Sequence, residues 1–345
     1  MVWRTGFLFG AGLFCAAALA SSQVGFRQFA LTNDVPERML NIAVLYPAAQ
    51  SDIPVKSVGE NLAFFGVDVQ ENVHPESGTH PFVVLSHGFG GNWRNQLWLG
   101  HALAQQGYIV AATDHPGTTS MMMNKAIAAK LWLRPDDIRR VISAIQNKQS
   151  DVGTIAPGKI GAIGHSLGGW TVLALAGGRF DTQQFETDCL THTELASCIV
   201  YQKMGIQQEA QANTLLGQSA RDPRVTAVVS LDLGLARGFT SQSLAAIDIP
   251  TLVISAGEPD SQLPAKVESY FMAQQMPEQR TRYLEINDAS HFSFMQVCKS
   301  GAVTLLEQEQ PGDGIICVDG NKRSREQIHL QVIAAISDFL DKTWH

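Results

Sequence analysis

The chain has 345 residues, 45% hydrophobic and 17% charged, which excludes a disordered polymer and leaves one large domain or two small ones. Asp plus Glu number 32 against 25 for Lys plus Arg, a net charge of −7, so no basic surface for phosphate backbones is expected and nucleic acid is excluded as a partner. The 30 glycines and 14 prolines follow no period, which excludes collagen-like, coiled-coil and solenoid architectures.

Residues 1–20 read as a secretory signal peptide. Arg4 precedes a run without charge over residues 5–20 that carries Phe7, Leu8, Phe9, Leu13 and Phe14, and Ala18-Leu19-Ala20 supplies a small-x-small cleavage pattern before Ser21. The run falls short of the roughly 20 residues that a spanning helix needs, and no other segment is apolar enough. The expectation is an exported chain, periplasmic or secreted, that starts near Ser21 and has no stable membrane span. Loss of the leader removes Cys15 and leaves Cys189, Cys198, Cys298 and Cys317. An even count in an exported chain suggests two disulfides. Three pairings are open, and sequence proximity favours Cys189 with Cys198 and Cys298 with Cys317.

Two extended stretches follow, Val24 to Leu31 and Leu40 to Tyr46, and read as antiparallel opening strands. Apolar runs then alternate with helix-length segments. Phe82 to Leu85 precedes Trp93 to Gln106; Ile109 to Ala112 precedes Asp136 to Gln149; Lys159 to Ile163 precedes Leu167 to Ala176. Val225 to Leu231, Thr251 to Ser255 and Tyr283 to Ile286 are further strands, and the segment from Pro264 to Gln275 is helix-like. Arg325 to Trp344 reads as a last helix, with Ile328, Val332, Ile336, Phe339 and Leu340 at helical spacing. Short apolar runs separated by helices specify an α/β fold with a mostly parallel sheet covered on both faces. Residues 180–221 break the rhythm as a polar, Gln-rich insert too long for an ordinary connection. They read as a cap over the carboxyl edge of the sheet, where open α/β sheets place their sites. No Pro-, Gly- or Ser-rich linker divides residues 21–345, so one domain with a cap is expected.

Gly164-His165-Ser166-Leu167-Gly168 fits Gly-x-Ser-x-Gly, and it lies directly between a buried strand and a helix, where the turn of a nucleophile elbow must sit. Ser166 is therefore the expected nucleophile. A serine hydroxyl needs a base within hydrogen-bond reach, and His291, directly after the last strand, follows in the chain order Ser, acid, His. His165 is pinned beside the serine, and His87 and His115 come too early. Two loops can supply the acid that orients the histidine. Asp260, 31 residues before His291, is preferred; Asp232, 59 residues before it, is the alternative, with Glu258 a third choice. Two backbone donors must receive the transition-state charge. The amide of Leu167 is one, and Phe89, in the turn Ser86-His87-Gly88-Phe89-Gly90-Gly91, is the other. This turn lacks the spacing of a phosphate loop. No His, Cys and carboxylate cluster has zinc spacing, and no cofactor or metal is expected.

Taken together, these residues resemble an α/β-hydrolase, and more narrowly the bacterial "predicted dienelactone hydrolase" branch related to the platelet-activating-factor acetylhydrolases. The resemblance rests on Val24-Gly25-Phe26-Arg27, Leu45-Tyr46-Pro47, Leu85-Ser86-His87-Gly88, Gly164 to Gly169, His291-Phe292-Ser293-Phe294, Cys298 and Ile316-Cys317. It implies ester hydrolysis with Ser166 as nucleophile, His291 as base, and Phe89 and Leu167 as oxyanion donors. The two branches differ on the acid, one supporting Asp260 and the other Asp232. True dienelactone hydrolases use a cysteine nucleophile, so Ser166 departs from them. The expected partner is a small-molecule or lipid-like ester. Acyl transfer or amide cleavage with the same triad, and a non-catalytic binding module on the same fold, are the competing readings. Asp114-His115, Met121 to Met123, Trp93 and Trp98 are further residues that could touch substrate or simply pack.

Overall fold

A computed structural model describes residues 22–32, 34–257, 263–320 and 322–345. The expected leader and Asp260 lie outside the described residues. Twelve strands occur along the described chain: β1 (Gln23–Leu31), β2 (Leu40–Ala48), β3 (Lys56–Val58), β4 (Val67–Glu71), β5 (Thr79–Ser86), β6 (Ile109–Thr113), β7 (Thr118–Thr119), β8 (Met122–Met123), β9 (Thr154–His165), β10 (Ala227–Leu231), β11 (Thr251–Ala256) and β12 (Thr281–Ile286). Ten of them form one sheet in the order β12-β11-β10-β9-β5-β6-β2-β1-β4-β3, and β7 with β8 makes a small hairpin. The run from β12 to β6 is parallel throughout, while β2 joins β6 and β1 joins β2 antiparallel. The mixed sheet read from the sequence is therefore the observed one. The short edge strands β3 and β4 were not expected, because Lys56–Val58 and Val67–Glu71 are too short and too polar to give a pattern.

Both faces of the sheet are buried, and this is why its strands read as continuous apolar runs. Side chains alternate across a strand, so Phe82 and Val84 of β5 join one core and Val83 and Leu85 the other. The first core is closed by the helix Leu133–Gln146 through Ile138, Val141, Ile142 and Ile145, together with the helix Leu167–Ala176. The second is closed by the helix Leu97–Gln105 and by the last helix, Arg325–Trp344, whose Ile328, Val332, Ile336, Phe339 and Leu340 all enter it. A capping box of Ser324 and Gln327 starts this last helix. The helix expected from Trp93 starts only at Leu97. Residues 92–96 are held as a turn instead: Asn95 Oδ1 accepts from the Asn92 amide at 2.7 Å, and Asp114 accepts from the Trp93 amide at 2.9 Å.

The 180–221 insert is helical rather than irregular, with helices Thr182–Thr191, Ala196–Met204 and Ala212–Leu216. Its apolar positions converge. Phe180 packs on Phe185 (ring centroids 5.4 Å apart), Phe185 on Tyr201 (5.0 Å), and Phe180 edge-on to Trp170 of the core (5.9 Å). The Cys189–Cys198 disulfide joins the first two of these helices, and Asp188 pairs with Arg237 of the core at 2.5 Å. Cys298 pairs with Cys317. Both pairings are the ones that proximity favoured.

Candidate active site

The site assembles at the carboxyl ends of neighbouring parallel strands, where the strand termini of an open α/β sheet leave a crevice. Ser166 follows β9 directly, Asp232 follows β10 directly, the Phe89 turn follows β5, and His291 comes five residues after β12. Ser166 holds φ 57° and ψ −122°, a left-handed conformation that costs a non-glycine residue about 1–3 kcal/mol. The surroundings hold it there. Its amide donates to the Leu231 carbonyl at 2.9 Å. The turn is so tight that a Cβ on Gly164 would sit 2.0 Å from the Gly168 oxygen, and one on Gly168 would sit 1.9 Å from the Ser86 oxygen. The fixed glycines of the motif are thus a steric requirement of bringing the helix against β5 and β9.

His291 Nε2 lies 3.0 Å from Ser166 Oγ, and His291 Nδ1 lies 2.6 Å from Asp232 Oδ2. A carboxylate only accepts, so Nδ1 carries the proton and Nε2 presents its lone pair to the serine hydroxyl. Asp232 is fully buried, and its other oxygen accepts from the Ala256 amide at 2.9 Å, which fixes the carboxylate plane. The histidine is held in turn. His165 Nε2 donates to the His291 carbonyl at 2.9 Å, and burial pushes the His165 imidazole well below its ordinary pKa, keeping it neutral. His329, stacked on Trp98 with centroids 3.6 Å apart, donates to the Ser293 carbonyl at 2.9 Å, and burial lowers it to about 3.

These distances favour the alternative acid: Asp232 occupies the position at Nδ1, while Asp260, the preferred choice, lies outside the described residues. Spacing could not separate the two loops, since both leave strand ends within reach of His291. What decides is that β10 is the immediate neighbour of β9, so the first residue after it lies beside the elbow.

The amides of Phe89 and Leu167 donate to no acceptor among the described residues. Leu167 is the first residue of its helix, where the amide has no partner within the helix and the dipole favours negative charge. Both residues line a pocket of about 110 Å³ with Ser166 and His291. The insert supplies Ala196, Ser197 and Val200 to its wall, and Leu235, Leu263 and Phe292 complete the apolar side. Among the described residues no cluster of three or more His, Cys, Asp or Glu could hold a metal.

A second Ser, His and Asp series lies nearby. Ser86 Oγ is 2.9 Å from His115 Nε2, and His115 Nδ1 is 2.9 Å from Asp137 Oδ2. All three are fully buried, so no substrate reaches Ser86. The two series share their geometry and differ in access: Ser166 lines the pocket and Ser86 does not. This series was missed from the sequence, whose only signal was Asp114-His115. Asp114 turns out to hold a turn, accepting from the Trp93 amide at 2.9 Å and from Asn41 Nδ2 at 3.0 Å. Met121, Met122 and Met123 are exposed on the β7–β8 hairpin, Trp93 packs on Phe26 and Trp98 on His329, and none of them lines the pocket.

The sequence pattern described as "Alpha/beta hydrolase family" matches residues 83–297, from β5 to beyond His291. The chain belongs to the alpha/beta hydrolase family. Among solved structures this hydrolase is similar to a ferulic acid esterase from Streptomyces cinnamoneus, with a TM-score of 0.63 and 18% identity over 94% of this chain and 91% of that one. At that identity the likeness is one of fold. No curated protein matches the hydrolase in sequence.

Proposed function

We propose that this hydrolase is a serine esterase that cleaves a carboxylic ester through an acyl-enzyme, with Ser166 as nucleophile, His291 as base, Asp232 as acid and the amides of Phe89 and Leu167 as oxyanion donors. The observation that carries the reading is the alignment of Asp232, His291 and Ser166 at 2.6 and 3.0 Å beside two unclaimed amides. His291 takes the serine proton as Oγ attacks the ester carbonyl, and the oxyanion forms between the two amides. The imidazolium, stabilised by Asp232, then protonates the leaving alcohol. Water, activated by the same histidine, attacks the acyl-enzyme and releases the acid.

The branch of predicted dienelactone hydrolases and platelet-activating-factor acetylhydrolases supplies the narrower assignment within this reading, and the second branch's placement of the acid agrees with Asp232. Export is part of the same proposal: the residues 1–20 and two disulfides support it, and among the described residues no helix is long and apolar enough to cross a membrane. The insert then acts as a cap that closes the acyl side.

A fluorophosphonate probe is expected to add one label per chain, with the mass shift on the peptide holding Ser166. Labelling elsewhere, or none, rejects the assignment. The pocket volume makes a further point. A cavity of about 150 Å³ accommodates benzene, so about 110 Å³ suits acyl chains of roughly two to four carbons. kcat/KM for p-nitrophenyl acetate or butyrate is expected to exceed that for the palmitate ester by about 100-fold or more. A profile rising with chain length contradicts this.

A further inference from the structure

Arg134 is fully buried, and no carboxylate is hydrogen-bonded to it. Its guanidinium instead spends its donors on neutral acceptors: Nε on Thr171 Oγ1 at 2.9 Å, Nη1 on Thr118 Oγ1, and Nη2 on the His87 carbonyl and on Ser86 Oγ at 3.3 Å. The nearby carboxylate, Asp137, is taken by Arg38 (2.6 and 2.7 Å) and His115. Arg140 pairs with Asp34. Three guanidinium groups thus face two carboxylates, and one positive charge stays unmatched in the interior. Burial of an ion without a counter-ion is expensive, and packing alone gives no reason for it.

The acceptors of Arg134 supply the reason. Thr171 donates to the carbonyl of Leu167 at 2.9 Å, so Nε grips the helix turn that carries one oxyanion donor. Nη2 grips His87, two residues before the other donor, Phe89. Thr118 completes the hold, because its carbonyl accepts from the Gly90 amide at 2.9 Å. One rigid fork ties both halves of the hole. The histidines extend the hold to the peptide that bears the Phe89 amide. The His115 amide donates to His87 Nε2 at 3.0 Å, which places the His87 proton on Nδ1, and Nδ1 donates to the Gly88 carbonyl at 2.6 Å. Polarising that carbonyl strengthens the N–H at the other end of the same peptide. Both rings are buried and held neutral, so of the side chains that bond the Ser86-His87-Gly88 backbone only Arg134 carries charge.

We propose that Arg134 is the positioning residue of the oxyanion hole: it fixes the Phe89 and Leu167 amides relative to each other and, as an unneutralised buried cation behind them, favours the negatively charged transition state. The inference rests on the esterase reading. The Ser86, His115 and Asp137 series is, in this view, the scaffold that holds the Phe89 turn against Arg134.

The test compares wild type, Arg134→Gln, Arg134→Lys and Thr171→Val on p-nitrophenyl acetate, with a trifluoromethyl ketone as probe because its adduct with Ser166 carries the oxyanion. Arg134→Gln is expected to lower kcat about 30- to 100-fold, with KM within about threefold. The ketone Ki should rise by the same factor as kcat/KM falls. Arg134→Lys, which restores charge without the fork, should recover part of the loss. Thr171→Val, which removes no charge, serves where Arg134→Gln does not fold, and it should lower kcat about fivefold with the ketone Ki following. A folded Arg134→Gln or Thr171→Val enzyme with kcat unchanged, or with kcat lost while the ketone binds as before, overturns the proposal. Wild-type protein inert toward both ester and ketone overturns the esterase reading itself, and this inference with it.

Discussion

Ser166→Ala is expected to lower kcat on short p-nitrophenyl esters by about 10⁵- to 10⁶-fold while the protein keeps its fold. The hydroxyl is the group at the elbow that His291 can deprotonate, and His115 cannot substitute because its partner Ser86 is buried. The fold should tolerate the change, since Ser166 Oγ anchors nothing but the histidine, and the turn is held by the Ser166 amide and the flanking glycines. Alanine needs the same positive φ as serine, so no new strain enters. The residual rate should come from the amides of Phe89 and Leu167, which still polarise a bound carbonyl. Purified Ser166→Ala that retains more than about a tenth of wild-type kcat would falsify the assignment of the nucleophile.

Asp232→Asn should cost about 10⁴-fold in kcat, and Asp260→Asn less than about threefold. The argument for Asp232 is one of donors and acceptors. Its Oδ1 accepts from the Ala256 amide and its Oδ2 from His291 Nδ1. An asparagine has one oxygen for these two donors. If the oxygen faces Ala256, the NH₂ faces the ring, and the ring must move its proton to Nε2, where it can no longer accept from Ser166. If the oxygen faces the ring, the NH₂ opposes the buried Ala256 amide. Either arrangement is costly, and the first is inactive. The negative charge that would stabilise the imidazolium is gone in both. Steady-state kinetics on the two variants decide the acid, and a larger loss in Asp260→Asn than in Asp232→Asn would reverse the assignment.

Arg134→Gln and Asp232→Asn are both expected to slow acylation of Ser166, but the two losses should separate cleanly. The first weakens the hold on the oxyanion and should be read in the ketone affinity. The second misplaces a proton and should leave the Phe89 and Leu167 amides where they are.

Much of this architecture was written locally. The strands from Phe82 to Leu85 and from Ile109 to Ala112 are apolar at every position because both faces are covered, and a run of that kind needs no partner to be recognised. The last helix announced itself by its apolar spacing and by Ser324 and Gln327 at its start. The elbow was legible for a steric reason: Gly164 and Gly168 each meet a backbone oxygen at about half a normal contact distance if given a Cβ. Cys189 with Cys198, and Cys298 with Cys317, followed from proximity along the chain. The helices of the 180–221 insert were not legible, because they are defined by Phe180, Phe185 and Tyr201 meeting across the insert and by Trp170 beneath them.

The contact of Asp232 with His291, and the buried layer beneath the oxyanion turn, emerge only in three dimensions. Ser166 and His291 were named by motif and order, whereas the acid depends on which strand lies beside β9 in the sheet. Arg38, Arg134 and Asp137 gave no pattern, and His115 only the pair Asp114-His115, since they come from three segments that the strand order brings behind one turn. The sequence determined which elements form and which serine stands at a strand end, because those follow from burial, backbone sterics and short-range spacing. The tertiary structure decided which carboxylate faces His291 and which cation lies behind the amides, because a hydrogen bond depends on distance in space between residues that chain separation does not constrain.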